Sequence, residues 1–187
     1  MRIEPKSIDD LSPTFREIME KGADSMGFMP QDGLLLAHCP DILNAVSGLT
    51  QAILGKGSVS SGTKRLIGYM TSQSSGCHYC SAHSSHGALS NGISEEQLKE
   101  IWEYEQSDLF SDQEKVAIRI AHKAGMHPNS ADQTDIDELK KYYSDEEVVE
   151  IISTIALYGF FNKFNQTLNT DIEEKPLATY KRINDEQ

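Results

Sequence analysis

Apolar residues along the chain recur at three- and four-residue spacing and almost nowhere alternate, which favours helices and gives strands little support. Ser12-Pro13 places a cap and a first-turn proline ahead of Phe15, Ile18 and Met19. Three S-x-x-E/Q pairs follow: Ser94 with Gln97, Ser111 with Glu114, and Ser144 with Glu147. In each, the serine oxygen and the later side chain satisfy amide donors that the first helical turn leaves open. Each precedes apolar residues at helical spacing: Leu98, Ile101 and Trp102; Val116, Ile120 and Ala124; Val148, Ile151, Ile152 and Ile155. From Val148 to Phe164 apolar side chains lie on nearly every side, which predicts a central, fully buried helix. Gly55-Lys56-Gly57-Ser58, Asn91-Gly92 and Gly125 ahead of His127-Pro128 read as stops. The pattern predicts an all-α, bundle-like fold of about eight helices with short connections. The chain reads as a single domain over 1–187, with its core at about 12–175 and a polar C-terminal arm after Pro176.

Composition narrows the partners. The 187 residues are 38% hydrophobic and 25% charged, ample for a globular core. A formal net charge of -12, with no Lys/Arg cluster, repels a phosphate backbone and argues against nucleic acid. The opening Met1-Arg2-Ile3-Glu4-Pro5-Lys6 lacks an apolar centre, and Glu4, Asp9 and Asp10 argue against a transit peptide. The longest apolar stretch, Val148 to Phe161, contains Glu150 and is shorter than the ~20 residues a membrane span needs. A cytoplasmic protein without a membrane partner is expected. Three cysteines make no disulfide framework, but Cys77 and Cys80 at C-x-x-C spacing point to redox or metal chemistry. Cys39, before Pro40, reads as a packed or partly exposed thiol.

The chemistry concentrates in Gly76-Cys77-His78-Tyr79-Cys80-Ser81-Ala82-His83-Ser84-Ser85-His86. Ser74, Ser75 and Gly76 offer a helix start, which puts Cys77 in the first turn and Cys80 one turn on. The helix dipole there favours a thiolate at Cys77. At ~100° per residue, Cys80 neighbours both Cys77 and His83, which lie about 120° apart. A histidine placed to take a thiol proton therefore serves Cys80. That geometry predicts Cys80 as the attacking thiolate, Cys77 as the resolving thiol and His83 as the base, against the dipole argument. Cys77, Cys80, His83 and His86 also form C-x2-C-x2-H-x2-H, but on one helix they fan over about 180° and cannot close a tetrahedron around zinc. No metal is expected. His86 is placed to reach a substrate or a partner helix, while His78 should face solvent. Ser84, Gly87 and Ala88 suggest close helix packing, and Tyr79, Trp102 and Phe161 are candidates to wall an apolar pocket.

The run from Ser74 to His83 resembles the signature of the alkylhydroperoxidase D-like branch of the carboxymuconolactone decarboxylase superfamily: small residues, C-x-Y-C, then His. Met26-Gly27-Phe28-Met29-Pro30, Lys64-Arg65-Leu66-Ile67, Trp102-Glu103-Tyr104-Glu105, Leu109-Phe110-Ser111-Asp112 and Phe161-Asn162-Lys163-Phe164-Asn165 are similar to blocks in its peroxidase-related members. The resemblance implies reduction of organic hydroperoxides or hydrogen peroxide through a dithiol/disulfide cycle. It further implies an external dithiol reductant of protein or lipoyl type, homo-oligomers, and no bound cofactor. It makes Cys80 the thiol oxidised to a sulfenic acid and Cys77 the one that resolves it. Two positions depart from that pattern: the histidine comes one residue early, leaving Ser84 at its place, and Arg65 stands where a relay glutamate is expected. Glu103 and Glu105 are candidate substitutes for that glutamate. Two other functions stay open, a lactone decarboxylase-type lyase and a non-catalytic redox sensor.

Overall fold

Capping chemistry sets most of the helix starts. In the computed structural model of the chain, which describes residues 1–184, Ser94, Ser111 and Ser144 each cap a helix with the reciprocal box the spacing predicts. A fourth box joins Asp132 to Asp135, an all-aspartate version outside the S-x-x-E/Q pattern. The α-helices run α1 Pro13–Met26, α2 Gln31–Leu36, α3 Pro40–Leu54, α4 Ser61–Ser74, α5 His78–Leu89, α6 Glu95–Lys99, α7 Asp112–Gly125, α8 Gln133–Leu139, α9 Asp145–Leu168 and α10 Glu174–Ile183. Short 3-10 turns at Ile8–Asp10 and Ile101–Glu103 complete the set. Eight of the ten α-helices have seven or more residues, and no strand occurs among the described residues. The all-α expectation holds among the described residues.

The centre of the bundle differs from the expectation. Leu66, Ile67, Tyr69 and Met70 of α4 are all at 0% exposure, and α4 packs against α5, α7 and α9. The long apolar α9 buries Ile151, Ile155, Leu157 and Tyr158 against it but leaves Val149 64% and Phe160 41% exposed. An apolar helix on all sides thus serves an inner face and an uncovered outer one. Ile42 and Leu49 of the adjoining α3 are also exposed.

The expected polar arm is corrected too. Residues 174–183 form α10, which buries Pro176, Thr179, Tyr180 and Ile183 and packs on α5. The i, i+3, i+4, i+7 spacing gives a narrow buried stripe on an otherwise charged helix. The last residues of that arm, 185–187, lie outside the described part. Among the described residues, no helix is long and apolar enough to cross a membrane.

Two devices hold the reactive end in place. The turn between α4 and α5 passes through Gly76 at φ 68, a left-handed conformation natural to glycine. Ser75 in that turn donates to Gly125 O at 2.8 Å, while Asn162 Nδ2 donates to Ser75 Oγ at 3.2 Å and Gln166 Nε2 to Ser75 O at 2.7 Å. Gly125 permits this approach, since a Cβ there would meet Thr71 O at 2.9 Å. At the far end, Lys64 is buried with its Nζ 2.9 Å from Glu150 Oε2.

Candidate active site

Cys77 is the N-cap of α5, with φ -88 and ψ 97, and its sulfur accepts from Cys80 N at 3.4 Å. Cys80 lies in the first turn, and both are free, buried thiols at 1% and 3% exposure. Because Cys77 stands outside the helix, the 100° spacing that separated it from His83 does not apply to it. The hydrogen bond from the Cys80 thiol, helped by backbone N–H groups, holds the Cys77 thiol below its ordinary range despite burial and the nearby Asp32. Burial, then Cys77 and Asp32, push the Cys80 thiol well up. Of the pair, Cys77 is therefore the thiol that ionises more readily, and the helix start faces it.

His83 does not make the contact expected of a base for Cys80. No hydrogen bond joins them among the described residues. Instead His83 Nε2 lies 2.6 Å from Glu173 Oε2. Its ring stacks on Tyr79 at 4.1 Å between centroids, with the edge of Phe28 at 5.0 Å. Glu173 occupies the N-cap position of α10 and, rather than capping it, accepts from Tyr79 OH at 3.0 Å and Gln31 N at 2.6 Å. Burial works to raise this carboxyl, but the hydrogen bond and charge of His83 and the Gln31 amide outweigh it and hold it below the usual range. A carboxyl lower in the folded than in the unfolded chain stabilises the fold above the unfolded value of about 4.3, and this contribution disappears as pH falls through the lower folded value. Between about pH 5 and pH 3, the melting temperature of the wild type is expected to fall more steeply than that of Glu173→Gln. Parallel curves in a circular-dichroism melting series would remove Glu173 from the acid response.

The second group at the thiols is Asp32, in the first turn of α2. Asn165 of α9 uses its side-chain nitrogen on both partners, reaching Asp32 Oδ2 at 3.3 Å and Cys80 Sγ at 3.6 Å. Asp32 N donates to Tyr79 OH at 3.2 Å, which links this group to Glu173 and His83. Burial pushes the Asp32 carboxyl up, with Glu173 adding to the rise and with His83 and Asn165 opposing it. The Oδ1 atoms of Asn162 and Asn165, one turn apart on α9, are buried without a hydrogen-bond partner. The sequence signal for both was a polar amide within an apolar helix, inside the block Phe161-Asn162-Lys163-Phe164-Asn165.

Other candidates fall elsewhere. Arg65 donates to Tyr158 OH at 3.4 Å, and Glu105 forms two hydrogen bonds to Arg119 at 2.6 and 2.7 Å. Glu103 is exposed. Neither glutamate takes the relay position; the acid beside the thiols is Asp32, and Glu173 pairs with His83 and Tyr79. Phe161 and Tyr79 do pack around the cysteines, whereas Trp102 is exposed beside His122. His86 Nδ1 meets Thr179 Oγ1 at 3.0 Å and so joins α5 to α10. His78 and Cys39 are exposed. Among the described residues, no three His, Cys, Asp or Glu side chains are grouped to hold a metal ion.

Residues 40–123 match the carboxymuconolactone decarboxylase family. Among solved structures, the apo debrominase Bmp8 is 30% identical, with a TM-score of 0.89 over 96% of each chain. A cysteine-to-alanine variant of Bmp8 in complex with 2,3,4-tribromopyrrole gives 28% and 0.90, over 98% of this chain and 97% of that one. An uncharacterized peroxidase-related protein from Ralstonia eutropha JMP134, described as an alkylhydroperoxidase AhpD core, shares the fold at a TM-score of 0.81 and 20% identity, over 96% of each chain. The uncharacterized protein YnjA of Escherichia coli (strain K12) is 25% identical over 93 residues, 50% of this chain. The match spans about half (51%) of that curated relative's length.

Proposed function

The chain belongs to the carboxymuconolactone decarboxylase family, in its alkylhydroperoxidase D-like branch, and from that premise we propose that it is a dithiol oxidoreductase that reduces hydroperoxides. One observation carries the reading: two buried free thiols at one helix start, the capping one shifted toward its thiolate and the inner one away from it. The thiolate is the nucleophile in such chemistry. Cys77 attacks the outer peroxide oxygen and becomes a sulfenic acid, Cys80 condenses with it, and an external dithiol of protein or lipoyl type reduces the disulfide. The N-cap position of Cys77 supports this order, the reverse of the one expected from the His83 geometry and implied by the family resemblance. His83, paired with Glu173 and stacked on Tyr79, acts as the positioning residue that fixes the wall around the sulfurs. Homo-oligomers belong to the same proposal, supported by the uncovered apolar residues Ile42, Leu49, Val149 and Phe160 of α3 and α9.

A second reading is reductive dehalogenation of a halogenated aromatic ring, favoured by the full-length likeness to a debrominase. The same two electrons serve it: sulfur takes the halogen, the ring carbon takes a proton, and the second thiol releases halide as the disulfide closes. Turnover with dithiothreitol or dihydrolipoamide separates the readings. Consumption of hydrogen peroxide or tert-butyl hydroperoxide is expected at roughly 10²-fold or more over the dithiol alone. Bromide release from 2,3,4-tribromopyrrole without peroxide turnover would transfer the function to the second reading. Neither reaction occurring would remove both.

A further inference from the structure

We propose that Asp32 is a catalytic acid of this site, handing a proton to the oxygen that leaves the attacked peroxide, with Asn165 holding the substrate for it. The inference rests on the hydroperoxide reading above and adds a residue to its chemistry. Its geometric basis is the shared amide: one nitrogen of Asn165 lies 3.3 Å from Asp32 Oδ2 and 3.6 Å from Cys80 Sγ, so the carboxyl and the Cys80 sulfur flank one side chain, with Cys77 close enough to feel the same carboxyl. The other end of that amide, Oδ1, is buried and unpartnered. A buried acceptor without a donor is destabilising, and a donor brought to it is held. The outer oxygen of a hydroperoxide carries a hydrogen that would satisfy it. Asp32 is anchored for the task by its own N–H on Tyr79 OH at 3.2 Å. Burial also shifts Asp32 toward its protonated form, while the Cys77 thiol beside it is shifted toward ionisation. An acid beside a thiolate is the arrangement that leaving-group protonation requires.

The steps balance. The Cys77 thiolate bonds to the outer oxygen, the O–O bond breaks, and the departing alkoxide takes the Asp32 proton and leaves as alcohol. Sulfur is oxidised to the sulfenic acid and the peroxide is reduced. The Cys80 thiol then attacks that sulfur, the S–S bond forms, and hydroxide leaves as water with the Cys80 proton. The external dithiol gives two electrons and two protons, one proton returning to Cys80 and the other to Asp32.

Single-turnover oxidation of the reduced protein tests this without any physiological reductant. Two oxidants are compared, tert-butyl hydroperoxide, whose alkoxide needs a proton to depart, and peracetic acid, whose carboxylate does not. Asp32→Asn keeps the shape of the side chain and removes its acid. It is expected to slow disulfide formation with tert-butyl hydroperoxide by roughly 10²–10³-fold and with peracetic acid by less than about 10-fold. Equal losses with both oxidants, or no loss with either, would overturn the assignment while leaving the hydroperoxide reading intact. Wild type that reacts with neither oxidant faster than free dithiothreitol removes that reading and this inference together. Should Asp32→Asn fail to fold, the wild type decides. Its preference for peracetic acid is expected to be at least about 10-fold smaller than that of dithiothreitol, and an equal preference overturns the role of Asp32.

Discussion

Glu150→Ala is expected to lower the melting temperature by about 10 °C, a loss of roughly 3–5 kcal/mol. Lys64 is only 2% exposed, and its ammonium has two partners, Glu150 Oε2 at 2.9 Å and Gly55 O at 3.2 Å. Removing the carboxylate strands a positive charge in the bundle with a single carbonyl for company. It also releases Ser58 N and Val59 N, which Glu150 accepts at 2.8 and 3.2 Å, and so loosens the connection between α3 and α4. Removing the other partner costs less. In Lys64→Met the carboxylate, at 20% exposure, keeps both amides and some access to water. The double variant Lys64→Met, Glu150→Leu should recover much of the loss, because a well-packed apolar pair avoids the desolvation of two ions. Thermal unfolding of the three variants checks the order. A Glu150→Ala protein within about 1 kcal/mol of wild type would mean that water reaches the ammonium.

The contrast between α4 and α9 explains which parts of the fold could be read from the chain. The caps at Ser94, Ser111 and Ser144 were legible because a box is decided within four residues. The choice of central helix was not, because α4 carries Thr71, Ser72 and Ser74 and reads as polar. Those hydroxyls donate to the carbonyls one turn back, Ile67, Gly68 and Met70, at 2.8 Å each, so the helix satisfies its own polarity and can be buried. Residues 174–183 were hidden in a similar way, their buried stripe being outnumbered by charges. In the site, the C-x-x-C pair and His83 could be seen in one segment. Asp32 and Glu173 lie far from that segment in sequence and join it only through α2, α9 and α10. The boundary of α5 mattered most. A one-residue shift turned Cys77 from a helical position into a cap, and with it the more readily ionised thiol changed from the inner one expected to the outer one.

That shift gives the two cysteine variants opposite phenotypes. Cys77→Ser is expected to react with peroxide roughly 10²–10³-fold more slowly than wild type, because the remaining Cys80 thiol is held protonated by burial and by Asp32. Serine is itself a good N-cap, so the variant should fold and melt close to wild type, which separates lost chemistry from lost structure. Cys80→Ser should keep the first step within about tenfold, since the helix start and the backbone N–H of residue 80 still face Cys77. It should then stall, with sulfenic acid accumulating on Cys77 for want of a resolving thiol. Mass spectrometry after a peroxide pulse with a sulfenic-acid trap reads both outcomes directly. Strong labelling in Cys77→Ser and none in Cys80→Ser would return the attack to Cys80, and the lowered thiol at the cap would then be the resolving one.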